Sequence, residues 1–335
     1  MTDLPVQPPA LTGRKLAICL LGLLLASVAV AAACSLAGQY RLTAEIWRIR
    51  LYRAAAAAVV GAALAVGGLA LQGLLRNPLA EPYILGISSG AGVGVLLGLA
   101  LATRLALPRW STTPFLSLLG ALATSAVVYG VAQRRGRLSP YVLLLSGVMI
   151  NVFNGALILA ILQFTRPTDM IHFIGWGMGQ VPEWLWDDPV LLIVAATIVI
   201  GGWFVMFVHG AAFNALGLGD DVAASSGVSV HRLRMLTFVV VSLMTAMAVA
   251  LAGPIGFVGL IVPHVCRIFL GPDHRLLAIV SGFVGAMFLM AADTFCRMID
   301  RWTDLGELPV GVITALVGGP FFIWLLRRRF REDAA

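Results

Sequence analysis

The residues that could break bonds are few, and most fail the spacing test. Gly86-Ile87-Ser88-Ser89-Gly90 matches G-x-S-x-G. That turn presents a nucleophilic serine only after a strand of a soluble hydrolase sheet, and nothing before Gly86 reads as one. His264 has no second His or Cys at metal spacing beside it, and His172 stands alone in a tryptophan-rich stretch. Cys19, Cys34, Cys266 and Cys296 are scattered through apolar runs without a CxxC pair, as packed thiols are. Lys15 is the only lysine, and the phosphate-cradling loop G-x-x-x-x-G-K-[ST] is absent. The chemistry left is polar recognition. Arg41, Arg48, Arg50 and Arg53 crowd one short stretch. Asn151 and Asn154 stand i,i+3 in an apolar run, with Ser146 before them. The polar interval Leu216–Arg234 has an acidic pair, Asp220 and Asp221, and a basic end, His231, Arg232 and Arg234.

The elements that must position these groups follow from composition. Of the 335 residues 60% are hydrophobic and 12% charged, where a soluble domain carries about 25% charge. The chain is an all-α polytopic membrane protein. Apolar runs begin near Leu16, Ala54, Gly90, Pro114, Tyr141, Pro189, Met235, Ile255, Leu276 and Pro309, giving about ten transmembrane helices of roughly 20 residues each. An even number puts both termini on one side. With that side cytoplasmic, most of the 23 basic residues lie inside, among them Arg14, Lys15, Arg76, Arg134, Arg135, Arg137, Arg232, Arg234, Arg327, Arg328, Arg329 and Arg331. The net charge of +7 is therefore read as topology, with no nucleic acid partner. The arginines of residues 41–53 fall outside, against the rule, and ask for an explanation. The divisions expected are a polar tail at 1–13, the transmembrane domain at 14–329 with a cytoplasmic segment at 216–234, and a tail at 330–335.

Several connectors are distinctive. Arg76-Asn77-Pro78 stops the second span. Gly90, Gly94 and Gly98 recur every four residues and make a smooth face for close helix packing. Asn151 and Asn154 share a helix face, and their amides either bond between helices or line a pathway. Met170–Val181 reads as a short helix at the outer surface. Gly253, Pro254, Gly256, Gly259 and Pro263, just before His264, break regular helix at membrane depth, which is tolerated only inside protein or beside a cavity. Asp293 and Arg297 form a default i,i+4 pair. Glu307 and Pro309 open the last span, with Gly311 following and Pro320 expected to kink it. In Leu216–Arg234 one or two short helices are expected outside the bilayer. Leu218, Gly219, Asp220, Asp221 and Ala224 would start the segment, Gly227 would stop it, and Arg232 with its neighbours would suit a helix C-terminus. Energy delivered by a second protein would enter here.

LRNPLAEPYILGISSGAG, LGLGDDVAASSGVSVHRLR, ALAGPIGFVGLIVPHVCRIFLGPDHR and ELPVGVITALVGGPFFIWLL, in that order, resemble the FecCD/BtuC family. The resemblance runs from about residue 40 to 327. Its members are permease subunits of type II ABC importers for iron–siderophore complexes, haem and vitamin B12. The resemblance implies ten helices per subunit in a homodimer or pseudo-dimer in the bacterial inner membrane, a homodimer being expected here. It implies two cytoplasmic ATPase subunits that bind the ATP and Mg, no cofactor on this chain, and a periplasmic or surface-tethered solute-binding protein. It puts the coupling segment at Leu216–Arg234, with Asp220 where Glu is common. It puts the inner gate at Ser139, Pro140, Tyr141 and Val142, where a B12 importer would carry small hydroxylated residues. It makes Arg50, Arg53 and Arg297 docking residues, so that a dimer would set six guanidiniums around its mouth. The function expected is import of an iron chelate, siderophore or haem, with a cobamide as the alternative. An ion-coupled secondary transporter fits less well, because intramembrane charge is scarce.

Overall fold

A computed structural model describes residues 13–38, 43–134, 137–183, 189–303 and 307–333. The tail at 1–12, together with Arg41, Arg135, Trp184 and Trp186, lies outside the described residues. The elements are α1 (Gly13–Leu36), α2 (Ala44–Leu75), α3 (Ile87–Leu105), α4 (Arg109–Ala132), α5 (Pro140–Leu162), α6 (Pro167–Gly177), α7 (Val190–Val208), α8 (Gly210–Gly217), α9 (Asp220–Ser225), α10 (Val230–Ala252), α11 (Val258–Leu270), α12 (His274–Thr303) and α13 (Val310–Asp333). One 3-10 turn, Pro82–Leu85, precedes α3, and a two-residue antiparallel pair, Gln133–Arg134 with Arg137–Leu138, precedes α5. Among the described residues nine helices are long and apolar enough to cross a bilayer, and α11 is a shorter apolar tenth. This is the expected series of spans. The last helix continues through Pro320 to Asp333.

The axis of the bundle is α2, 32 residues long and so about 48 Å from end to end. Thr43 starts it, its side chain accepting from the Ile46 N–H, and Glu45 lies in the first turn, where a carboxylate suits the dipole. It ends at Arg76, whose left-handed backbone (φ 49°) returns its N–H to the Gln72 carbonyl. Small side chains let neighbours come close. Gly61 faces the Gly285 backbone of α12, and Gly68 faces the Gly259 backbone of α11, each too near for a Cβ. Gly90, Gly94 and Gly98 of α3 likewise meet α4 at Gly120 and Thr124, at Leu116, and at Thr113. Packing through small residues is how helices associate where lipid offers apolar contact everywhere. Outward-facing Ile18, Leu21, Leu25 and Val28 of α1 suit a hydrocarbon environment.

Two breaks in helix meet inside this bundle. Residues 76–86 do not loop away from it. Asn77 Oδ1 accepts from the Leu79 N–H at 3.1 Å, a side-chain turn that lets the chain fold back, and Pro82 rests against Gly67 and Gly259. The second break, residues 253–257, has positive φ at Gly253 (71°) and at Phe257 (69°). The two breaks satisfy each other. The Ile255 N–H donates to Tyr83 Oη at 2.9 Å, and the Phe257 N–H donates to Glu81 Oε1. Gln72 adds a bond from Nε2 to the Gly259 carbonyl (3.1 Å) and accepts from Arg267 Nη2 (3.0 Å). Irregular backbone packed in protein needs such partners, because lipid supplies none. Gly311 completes the region, its N–H donating to the Gly179 carbonyl at 3.1 Å.

Candidate functional site

The functional groups gather at the two ends of α2. At the Arg76 end stand α8 and α9. A six-residue helix such as α9 is too short to hold its own shape, so its position depends on what pins it. Asp220 does this. Its carboxylate accepts from Arg76 at the C-cap of α2 and from Arg234 Nη2 in α10, the latter at 2.9 and 3.0 Å. Arg76 Nε also donates to the Leu216 carbonyl at 2.8 Å. Leu216 and Ala223 are buried beneath, while Leu218, Asp221, Val222, Ala224 and Ser225 are exposed. Asn214 of α8 bonds Asp273 (2.8 Å) and caps the start of α12 through the His274 N–H (2.8 Å). The segment is thus tied to α2, α10 and α12 together.

One expectation about this segment needs correction. His231, Arg232 and Arg234 do not close the short helix. Gly227, at φ 83°, ends it, and the basic residues open α10 instead. Cations are unfavourable at a helix N-terminus. Arg234 is offset by Asp220 across the turn, and Arg232 points outward.

At the start of α5, Ser139 Oγ accepts from the Val142 N–H at 3.5 Å and Pro140 takes the first helical position, an ordinary helix start. Tyr141 beside them is 74% exposed. The amides of α5 bond between helices. Asn154 Nδ2 donates to Ser89 Oγ (3.1 Å) and Thr124 Oγ1 (3.2 Å), and Ser89 Oγ donates to Asn151 Oδ1 (2.7 Å). Ser146 is buried and bonded to the Leu143 carbonyl at 3.1 Å. The polar stripe therefore faces α3 and α4, because an amide in hydrocarbon finds partners inside the bundle. The free face of α5 carries Tyr141, Leu145, Val148, Met149, Val152 and Phe153. Ser88, the serine of the G-x-S-x-G match, sits in the first turn of α3.

The Arg53 end also differs from expectation. Arg50, Arg53 and Arg297 come together, but buried, at 6%, 6% and 8% exposure. Arg53 Nε bonds both Asp293 oxygens (3.0 and 3.1 Å), and its Nη1 meets Glu183 (2.8 Å) and Glu307 (2.9 Å). Arg297 donates to the Cys34 and Ala37 carbonyls at 3.1 and 3.3 Å, with Asp293 at 3.4 Å, and Arg50 donates to the Leu36 carbonyl at 3.3 Å. Two of the three guanidiniums thus cap the unsatisfied carbonyls at the end of α1. All three line a cavity of about 240 Å³ with Glu183 and Glu307. A larger cavity of about 1000 Å³ adjoins at Arg53 and Glu183 and extends past Arg109, His172 and Trp176. Sequence reading missed Glu183 and paired Asp293 only with its helix neighbour, since its main partner, Arg53, lies 240 residues away.

A bundle of apolar helices around one long small-residue helix, with a short polar helix pinned across several of them at one end, is the build of a membrane permease. The chain belongs to the FecCD transport family, whose model matches residues 15–328. It is 40% identical over 284 residues to the uncharacterized ABC transporter permease protein YvrB of Bacillus subtilis, covering 84% of this chain and 78% of that one. It is 41% identical over 281 residues to the cobalamin import system permease BtuC of Halobacterium salinarum (84% and 73%), and 37% identical over 295 residues to the hemin transport system permease HmuU of Yersinia pestis (85% and 84%). A solved inward-facing ABC transporter assigned to the metal-chelate type superposes with a TM-score of 0.79 at 28% identity, covering 92% of this chain and 98% of that one. The protein is a multi-pass permease subunit of the type II ABC importer family, in the cytoplasmic membrane.

Proposed function

We propose that two copies of this permease form the pathway of an importer for an iron chelate, siderophore or haem. Two ATPase subunits, carrying the ATP and Mg, drive it from the cytoplasm, and a solute-binding protein delivers the cargo outside. The observation that carries the coupling role is the Asp220 clamp. It fixes an exposed strip, Leu218, Asp221, Val222 and Ser225, to the ends of α2 and α10. A protein pushing on that strip moves helices that run the depth of the bundle. On this reading the Arg53 end faces outward and receives acidic side chains of the binding protein, and α5 borders the pathway, with Tyr141 at the inner gate.

For the cargo, the exposed ring of Tyr141 beside Pro140 supports the iron-chelate reading over a cobamide. The cobamide remains the second reading, because several relatives of similar identity are named for cobalamin or vitamin B12 import. The test is reconstitution of the permease with its ATPase and binding protein in liposomes, followed by uptake of labelled haem, ferric siderophore and cobalamin. ATP-dependent uptake of cobalamin alone would overturn the iron-chelate reading. Purification without any ATPase subunit would overturn the importer itself and favour an ion-coupled carrier.

A further inference from the structure

The arginine cluster is not an open positive patch. Arg50, Arg53 and Arg297 line one small cavity with Glu183 and Glu307, and Asp293 behind it pairs with Arg53 and Arg297. The carboxylates differ sharply in setting. Asp293 is 3% exposed as a side chain and belongs to the packed interior, whereas Glu183 and Glu307 are 63% and 42% exposed. Both glutamates converge on the same nitrogen, Arg53 Nη1, at 2.8 and 2.9 Å. Two like charges on one donor repel, and ion pairs held by exposed side chains are weak. Neither feature is what a purely structural lock would use. Asp293, bonded to Nε through both oxygens, already holds Arg53 in place.

We infer that this end of the molecule is a carboxylate socket loaded from within: Glu183 and Glu307 stand in for an acidic side chain of the docking protein, which binds by displacing them from Arg53. The inference rests on the docking reading proposed above and adds how that docking is regulated. The cavity of about 240 Å³ suits the tip of one acidic side chain, and the planar guanidinium pairs with carboxylates in a defined geometry. While the glutamates are in place the cluster carries no formal excess charge, so it does not attract anionic surfaces indiscriminately. A partner must bring a carboxylate placed well enough to compete, which gives selectivity by exchange.

The test compares two variants of the permease in nanodiscs, with its ATPase bound, against the solute-binding protein of the same transport system. Removing both resident charges, E183Q with E307Q, should raise the association rate about tenfold in low salt and steepen its salt dependence, since the cluster then gains positive charge. An unchanged or slower rate overturns the exchange. So does failure of that variant to assemble, because the glutamates would then be structural. The docking reading is tested separately with R50Q, which leaves the Arg53–Asp293 pair intact. If R50Q and wild type bind the partner with the same rate and affinity, docking at this cluster is wrong. If R50Q weakens binding while E183Q with E307Q fails to speed it, docking stands and the exchange falls.

Discussion

Asp220→Asn is the most informative single change, because it removes a charge and almost nothing else. The carboxylate holds α9 against two arginines. Side-chain exposure is 45% for Asp220, 38% for Arg76 and 15% for Arg234. Exposed ion pairs contribute roughly 0–1 kcal/mol each. The Arg234 pair, the better sheltered, falls near the top of that range and the Arg76 pair lower. Asparagine keeps one acceptor oxygen, so the loss comes to about 1–1.5 kcal/mol for the two together. That is small beside the stability of the bundle but large for a six-residue helix with one buried side chain, Ala223. About 1.4 kcal/mol changes a population tenfold. The amides of residues 220–228 should therefore exchange with deuterium about tenfold faster, while those in the middle of α2 and α10 stay unchanged. In liposomes with the ATPase, more ATP should be hydrolysed per substrate imported, by about threefold to tenfold if coupling scales with the docked fraction of α9. Arg76→Gln should do much the same, and combining the two should cost little more than either alone, the mark of residues acting as one unit. The reasoning fails if D220N transports with the wild-type ATP ratio and its α9 amides exchange at the wild-type rate.

Further outcomes follow from the same geometry. Gly68→Ala should prevent assembly, because a Cβ would overlap the Gly259 backbone, whereas Gly22→Ala, with open space around it, should leave yield and melting temperature unchanged. Asn154→Leu strips partners from Ser89 and Thr124 inside the bundle and should lower stability by about 1–3 kcal/mol in a detergent thermal shift assay. Glu81→Ala leaves the Phe257 N–H unanswered and should open residues 253–257 to protease, while Phe257→Gly, relieving a left-handed backbone, should not. If two copies pair as proposed, a cysteine at exposed Tyr141 should cross-link between them in a nucleotide-dependent way, whereas one at Ser139, whose hydroxyl caps α5, should not.

The spans were legible in the sequence because the physics that makes them is local. An apolar run of membrane length, a proline at a helix start and a glycine after a helix end act within a few residues. So Arg76-Asn77-Pro78 reads correctly as a stop, and Gly90, Gly94 and Gly98 as a packing face. The path of the connector at 76–86 was not legible. Nothing local says that Glu81 and Tyr83 turn back into the bundle. Their partners, the N–H groups of Phe257 and Ile255, lie more than 170 residues on. The mutual repair of two broken segments is a tertiary fact: the second break reads as one that must sit inside protein, but nothing local names the first as its partner.

The charged cluster shows where further sequence reasoning could have gone. An arginine inside a span is costly unless it is compensated, and this chain has only 16 acidic residues to do it. Counting spans puts the start of α2, the end of α12 and the approaches to α7 and α13 on one side of the membrane. Nine of those 16 lie on that side, Asp293, Glu183 and Glu307 among them. Topology alone therefore removes seven of the 16 as partners of Arg53. Arg297, four residues on from Asp293, offers a local pair that looks sufficient by itself. In the folded chain the local contact is the longer one, 3.4 Å, and the distant Arg53 takes the carboxylate at 3.0 Å. Arg297 then spends its donors on the end of α1. Where charge is rare, its placement is decided by which buried group most lacks a partner, and sequence neighbours hold no priority in that competition.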